Sequence, residues 1–328
     1  NDKINHVIYD KTVPNPTIEN IEEAFQMYLE HNCQGIVAFG GGSPMDCAKG
    51  VGARVAKPNK SLPQMKGVLK IVKKLPPLFA IPTTAGTGSE ATLAAVVSNS
   101  ETHEKYAIMD TSLIPHFAVL DPLLTVKLPP SITAATGIDA LTHAVEAYIG
   151  RSNTKNTTQY SIEAIKLIFE NLEEAYFNGT NLTARSNMQK AAYLAGMAFT
   201  RAYVGYVHAI AHTLGGFYSV PHGLANAIIL PHVLEYYGES VHKPLAELAE
   251  IVGIADTAVS TKQNANKFIE EIKHLNDRLS IPKKVSGIVD RDIPLMVDRA
   301  FAEANPLYPV PRILFKDDLF QLYQLIKE

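Results

Sequence analysis

Three compact apolar runs at 35–39, 78–81 and 117–120 each end in a polar, glycine- or proline-marked turn, with helix-compatible sequence between them. Such runs lack polar alternation and suit strands buried on both faces. Strands that alternate with helices point to an open, mostly parallel α/β sheet. Residues 6–9 add a short β-prone run ahead of a loop with Pro14 and Pro16. Thr17 is then placed to cap an amphipathic helix carrying Ile18, Ile21, Phe25 and Leu29. Near Pro130 the texture changes. The stretches 160–174, 184–200 and 264–279 fit helices and β-rich runs become few, so the second half reads as all-helical. Prolines at 124–130 interrupt the pattern and set the boundary, giving an α/β domain over 1–128 and a helical domain over 129–328. No internal repeat or long flexible linker separates them, which predicts two closely packed domains with a ligand cleft between.

The 328 residues carry a net charge of −3, with Lys and Arg scattered rather than striped. That balance argues against nucleic acid or an anionic membrane surface as a partner. No apolar run approaches the roughly 20 residues that span a bilayer, and the N-terminus lacks a signal-peptide layout. The two cysteines, Cys33 and Cys47, have no metal-like spacing and fit reduced thiols in a cytoplasmic protein. Without a secretory signal, the sequons that begin at Asn59, Asn156, Asn178 and Asn181 read as chance matches.

The first strand candidate runs into Gly40-Gly41-Gly42-Ser43-Pro44-Met45-Asp46. Three glycines let the backbone turn sharply and approach a ligand closely. Ser43 is placed to cap the next helix, Pro44 suits its first position, and Asp46 would complete a Ser-x-x-Asp capping box. The free N–H groups of that helix would then face a pyrophosphate. The run is neither the G-x-G-x-x-G fingerprint nor a Walker loop. A second polar turn, Pro82-Thr83-Thr84-Ala85-Gly86-Thr87-Gly88-Ser89-Glu90, follows the next strand candidate. In a parallel sheet both turns lie at carboxyl ends of strands, where ligands collect. A glycine turn alone can simply join strand to helix; two such turns favour a nucleotide cofactor.

Asp139 and His143 stand four residues apart, so a helix would put both on one face. His208 and His212 repeat that spacing in a small, apolar helix, where an unpaired imidazole is costly to bury. His222 follows in a turn, Val220-Pro221-His222-Gly223. Any one pair could be an ordinary hydrogen bond on a helix face. Two pairs plus a third histidine among apolar residues read better as a metal site. Imidazole and carboxylate donors without thiolate suit Fe(II), Zn(II), Mn(II) or Co(II). Spacing does not choose between His208 and His212. Gly205, Phe217 and Tyr218 are candidates for lining a pocket suited to a short substrate.

Taken together, GGGSPMDCAK (40–49), PTTAGTGSEAT (82–92), ATGIDALTHAVEAY (135–148) and HAIAHTLGGFYSVPHGLANAIILPH (208–232) resemble the iron-containing, group III alcohol dehydrogenase family. The resemblance runs the length of the chain. It implies a dehydroquinate synthase-like architecture: an N-terminal dinucleotide-binding α/β domain and an all-α C-terminal domain, with NAD or NADP and one divalent metal. The implied ligands are Asp139, His143, His208 and His222, with Fe(II) expected and Zn(II) an alternative. His212 falls on the family histidine beside substrate and nicotinamide. Gly41, Gly42 and Ser43, with Asp46 in the same turn, match pyrophosphate positions, and Thr83, Thr84, Thr87, Lys105 and Leu120 match positions around ribose and nicotinamide. The family's first strand–helix–strand has no counterpart here, so the expectation is a truncated chain or a member lacking that unit, with cofactor preference left open.

The activity implied is NAD(P)-dependent oxidation of a small primary alcohol or diol, or reduction of the aldehyde. The metal serves as Lewis acid, hydride passes to nicotinamide, and His212 helps the proton leave. A glycerol dehydrogenase-like polyol oxidoreductase and a non-catalytic nucleotide or metal binder are the alternatives. A homo-oligomer, by default a dimer, is expected.

Overall fold

The computed structural model describes residues 4–102 and 104–328. The chain folds into two compact units. One comprises the chain up to Thr84 together with Ser89–Leu124; the other comprises Ala85–Gly88 and Thr125–Glu328.

In the first unit, α1 (Ile18–Glu30) starts where Thr17 Oγ1 accepts the Asn20 N–H, as its sequence predicts. Ile21 and Phe25 are buried, but Leu29 is 48% exposed, so the apolar stripe is narrower than expected. Next come β1 (Ile36–Gly40), α2 (Gly42–Ala56), β2 (Gly67–Val68), β3 (Leu78–Pro82), β4 (Ala94–Asn99), β5 (Glu104–Met109) and β6 (Phe117–Ala118). β1, β3 and β6 form a parallel sheet in that order, with Ile36 opposite Leu78 and Phe79 opposite Phe117. The third run is a two-residue strand, extended by the Val119 N–H donating to the Ala80 carbonyl at 2.8 Å.

Burial of this sheet on both faces is not what the structure shows. Ala38, Leu78 and Ala80 pack with Met45 and Ala48 of α2. On the other face Val37 and Phe39 are 63% and 58% exposed, and Phe79 stacks on Phe117 with centroids 4.8 Å apart. Alternate strand residues need a covering layer on each side, and among the described residues only the α2 side has one. The second sheet, in the order β2-β5-β4, pairs β2 and β5 parallel but β4 and β5 antiparallel. Its hairpin mixes Ser98, Asn99, Glu104 and Lys105 with apolar positions, a pattern that the compact-run criterion passes over. The β-prone run at 6–9 forms no strand. Its Tyr9 hydroxyl instead donates to Glu23 of α1, and the nearby ladder contact is the lone bridge between Thr17 and Ser98.

The second unit has no strand among its described residues. Its helices are α3 (Pro130–Ile149), α4 (Lys155–Phe177), α5 (Leu182–Ala202), α6 (Tyr206–Tyr218), α7 (His222–Tyr237), α8 (Glu239–Ile251), α9 (Thr261–Arg278), α10 (Ile293–Ala304) and α11 (Lys316–Ile326). The three helical stretches read from sequence fall in α4, α5 and α9. α3 is buried on every side from residue 137 to 149 and packs against α4, α5 and α7. An all-round apolar helix belongs at the centre of its domain. A Cβ at Gly137 would come within 2.2 Å of Leu172 Cδ1, so glycine there lets α4 approach closely. No helix among the described residues is long and apolar enough to cross a membrane.

Candidate metal centre and active site

The buried α3 carries Asp139, His143 and Glu146 at a spacing that keeps them on one helix face. α6 supplies His208 and His212, and α7 opens at His222. The chain can bring α7 this close because residue 223 is glycine: a Cβ there would lie 2.3 Å from the Ala135 carbonyl oxygen of α3. Asp139, His143, His208 and His222 thereby each offer a donor atom, all within 4.8 Å of one another. His212 offers no atom to that group, although its ring stacks on His222 with centroids 5.1 Å apart.

The donors fit a single divalent ion. Metal–nitrogen and metal–oxygen bonds of about 2.0–2.2 Å span roughly 4 Å between opposite ligands, close to the observed spread. Burial, with His208 beside it, holds the His143 imidazole well below its usual pKa, so it is a neutral donor at physiological pH. Its ring lies between Phe199 and His208 at 4.2 and 4.4 Å.

His208 is oriented from behind. Its Nδ1–H donates to Glu146 Oε2 at 2.6 Å, which leaves Nε2 as the ring atom with a lone pair. The same carboxylate accepts the Gly205 and Val207 N–H groups at 2.8 and 2.9 Å, capping the start of α6. A Cβ at Gly205 would be 2.7 Å from Glu146 Oε1, so glycine here lets the carboxylate approach. Phe217 and Tyr218 each have a polar or charged neighbour. Tyr218 donates to Asp292, and Arg299 lies over the Phe217 ring at 4.9 Å.

His212 has a parallel arrangement. Its Nδ1–H donates to Glu303 Oε1 at 2.7 Å, and the Tyr308 hydroxyl donates to the same oxygen at 2.7 Å. Burial alone would raise the Glu303 carboxyl, yet the His212 ring and these hydrogen bonds hold it below its ordinary value.

In the α/β unit the two polar turns meet. The Thr83 N–H donates to the Gly40 carbonyl at 2.9 Å, and the Thr84 side chain lies 3.3 Å from where a Gly41 Cβ would stand. Gly41, Gly42, Ser43, Thr83 and Thr84 therefore gather at the carboxyl ends of β1 and β3. The expected capping box does not form. α2 begins at Gly42 with Gly41 as its cap and no side-chain bond. Ser43 Oγ accepts the Asn15 N–H instead, and the Asp46 carboxylate accepts from Ser89 Oγ at 2.9 Å and Val96 N–H at 3.2 Å. Asp46 thus faces the unit's interior. Lys105 on β5 donates to Asn15 at 2.8 Å, and Leu120 lies beyond β6, 37% exposed. Thr87 sits in the segment 85–88 that packs with the helices: a Gly86 Cβ would lie 2.6 Å from Thr136 Cβ.

Two family descriptions match the sequence: "Iron-containing alcohol dehydrogenase" over residues 1–122 and "Fe-containing alcohol dehydrogenase family, C-terminal" over residues 133–326. The chain belongs to the iron-containing alcohol dehydrogenase family. It is 43% identical over 300 residues to a 1,3-propanediol dehydrogenase of Klebsiella pneumoniae, covering 91% of this chain and 77% of that one. An NAD-dependent methanol dehydrogenase of Bacillus methanolicus is 36% identical over 96% of this chain and 83% of its own length. The crystal structure of a 1,3-propanediol oxidoreductase superposes with a TM-score of 0.93 at 39% identity, covering 97% and 83% of the two chains. This dehydrogenase therefore interconverts alcohols and aldehydes, and its family implies NAD(H) and a divalent metal.

Sequence reasoning passed over several buried polar residues around the candidate site and the glycine turn of this dehydrogenase. Glu146 lies three residues beyond His143 on the same helix face and Asn226 four beyond His222, so helical periodicity could have found both. Glu303 is 91 residues from His212, with no local signal. Lys49 is buried under the glycine turn, its ammonium donating to Ser89 Oγ, Thr92 O and Oγ1, and Ala94 O at 2.8–3.0 Å.

Proposed function

We propose that this chain oxidises a small primary alcohol or diol, or reduces the matching aldehyde, at a divalent ion held by Asp139, His143, His208 and His222. The observation that carries the reading is the convergence of those four donor atoms within 4.8 Å. Fe(II) is the ion proposed, with Zn(II) compatible with the same donors. When bound, the ion supplies Lewis acidity towards the alcohol oxygen.

The chain's own residues then divide the work. Glu146 fixes the His208 ring so that Nε2 is the atom free to donate. Glu303 fixes His212 in the same way, leaving its Nε2 able to exchange the proton released on oxidation. Gly41, Gly42 and Ser43 take the cofactor pyrophosphate at the uncapped start of α2. Thr83, Thr84, Thr87, Lys105 and Leu120 are assigned to its ribose and nicotinamide, whereas Asp46 supports the turn from inside. NAD is favoured over NADP because the Bacillus methanolicus relative is NAD-dependent. The reading places the α/β domain at 1–128 and the catalytic domain at 129–328, in a cytoplasmic homodimer. Its two free cysteines fit such a compartment.

The names of the relatives point to short substrates. A panel of methanol, ethanol, 1,2- and 1,3-propanediol and glycerol, assayed with NAD+ and with NADP+, tests this. Turnover highest on a short alcohol or diol supports the proposal; turnover confined to glycerol, or cofactor binding with no turnover on any of them, contradicts it.

A further inference from the structure

Asn226 is fully buried one turn into α7, flanked in sequence by Ala225, Ala227, Ile228 and Ile229. A polar side chain in such surroundings requires partners, and its partners are the donor atoms of the metal centre. Its Nδ2 donates to Asp139 Oδ1 at 2.7 Å and lies 3.2 Å from His208 Nε2 and 3.3 Å from His222 Nε2. Those three atoms come from α3, α6 and α7, so one amide group touches all three helices that build the site.

We propose that Asn226 is a positioning residue of the metal centre: its amide N–H holds the Asp139 carboxylate towards the point where the four donors meet, and so sets the affinity for the ion. This rests on the four-ligand reading above. An amide nitrogen has hydrogens to give and no lone pair to offer, so Asn226 is a donor inserted among acceptors rather than a fifth ligand. The single lone pair of each imidazole Nε2 is kept for the ion, whereas a carboxylate oxygen can accept the amide hydrogen and still offer a second lone pair, so the bond to Asp139 is the contact that persists when the ion is held. Spacing contributes as well. Asn226 lies one turn after His222, so the helix that delivers the ligand also delivers the donor.

The other end of the amide shows which contacts fix it. Asn226 Oδ1 is buried with no hydrogen-bond partner among the described residues. Leaving a buried acceptor unmade has a free-energy cost, so an amide present only to satisfy itself would adopt an orientation that pairs both ends. The orientation observed satisfies Nδ2 alone, and Nδ2 points at the ligand set. Hydrogen bonds to a charged acceptor are the stronger kind, and the short contact to Asp139 is of that kind.

The test removes the donor while keeping the volume. Asn226→Leu fills the space without an N–H, and Asn226→Ala serves if leucine disturbs folding, which far-ultraviolet circular dichroism of the metal-free proteins will show. Zn2+ dissociation constants are measured by chelator competition on metal-free wild type, both variants and Asp139→Ala. The visible spectrum of the Co2+-loaded proteins reports coordination geometry separately from activity. Zn2+ binding weakened about 10- to 100-fold in the folded Asn226 variants, the range for residues that orient ligands, with an altered Co2+ spectrum, supports the proposal. Binding within about twofold of wild type with an unchanged spectrum overturns it, provided Asp139→Ala fails to hold the ion. If Asp139→Ala binds Zn2+ as tightly as wild type, the four-ligand reading itself fails, and the proposal falls with it.

Discussion

Replacing Glu146 with glutamine keeps the side chain's shape and removes its charge. In the structure this carboxylate accepts three hydrogen bonds, from His208 Nδ1 at 2.6 Å and from the Gly205 and Val207 N–H groups at 2.8 and 2.9 Å. A glutamine can use its single oxygen for one or two of them, and its NH2 would meet a donor where an acceptor is needed. Hydrogen bonds to charged groups contribute about 1.5–3 kcal/mol each, and an unsatisfied buried donor costs about 1–3 kcal/mol. Glu146→Gln should therefore destabilise the metal-free protein by about 2–3 kcal/mol, read from urea denaturation. The larger consequence falls on the site. Without the carboxylate behind it, His208 loses both its fixed ring orientation and part of the basicity of Nε2. A loss of about 10- to 100-fold in metal affinity follows, equivalent to roughly 1.4–2.8 kcal/mol. Chelator competition with Zn2+ measures it. A variant less stable by the stated amount that binds the ion as tightly as wild type would refute this account of Glu146, because its role would then be confined to capping α6.

Gly223→Ala should weaken metal binding and lower stability together, since its Cβ would enter to 2.3 Å of the Ala135 carbonyl and push His222 away from Asp139; overpacking of this sort costs about 1–3 kcal/mol, and a variant with unchanged Tm and metal content would argue against that close approach. Glu90 gives a pH-dependent case. Burial raises its carboxyl to about 7, above the value of an exposed carboxylate, so the folded state binds its proton more tightly than the unfolded state. Its contribution is intact at low pH and is lost as pH rises through about 7. Glu90→Gln should thus gain stability relative to wild type between pH 5 and pH 8, and a denaturation midpoint difference that is constant across that interval contradicts the reasoning. His212→Ala should keep its metal and lose about 10²- to 10⁴-fold in turnover; loss of the metal as well would return His212 to the ligand set.

Much of this arrangement is legible from short-range sequence patterns. Two i,i+4 pairs and a histidine in a turn name the residues that the fold gathers, because helical periodicity fixes which side chains share a face. Choosing His208 over His212 lies beyond that reach, since both occupy the same face and only their partners, Glu146 on α3 for His208 and Glu303 on α10 for His212, separate them. The groups that orient the rings illustrate two kinds of distance. Glu146 and Asn226 are local to Asp139, His143 and His222 and were readable in principle, whereas Glu303 reaches His212 across three intervening helices. The α/β half shows a different limit. Compactness of the run at 35–39 identifies β1 correctly, but whether Val37 and Phe39 are covered depends on a layer that the run itself does not encode. In the glycine turn, Ser43 and Asp46 have the spacing of a capping box, yet both pair with groups distant in sequence: the Asn15 N–H for Ser43, and Ser89 and Val96 for Asp46.

The central claim is that one divalent ion, held by Asp139, His143, His208 and His222, is required for alcohol oxidation. The most direct measurement is anaerobic titration of Fe2+ into metal-free wild type and His222→Ala, following bound metal and NAD+-dependent oxidation of a short alcohol together. The account predicts that wild-type turnover rises in step with binding and saturates at one ion per chain, while the variant neither retains the ion nor turns over. Undiminished turnover in metal-free protein, or in His222→Ala at the same metal concentration, would contradict it.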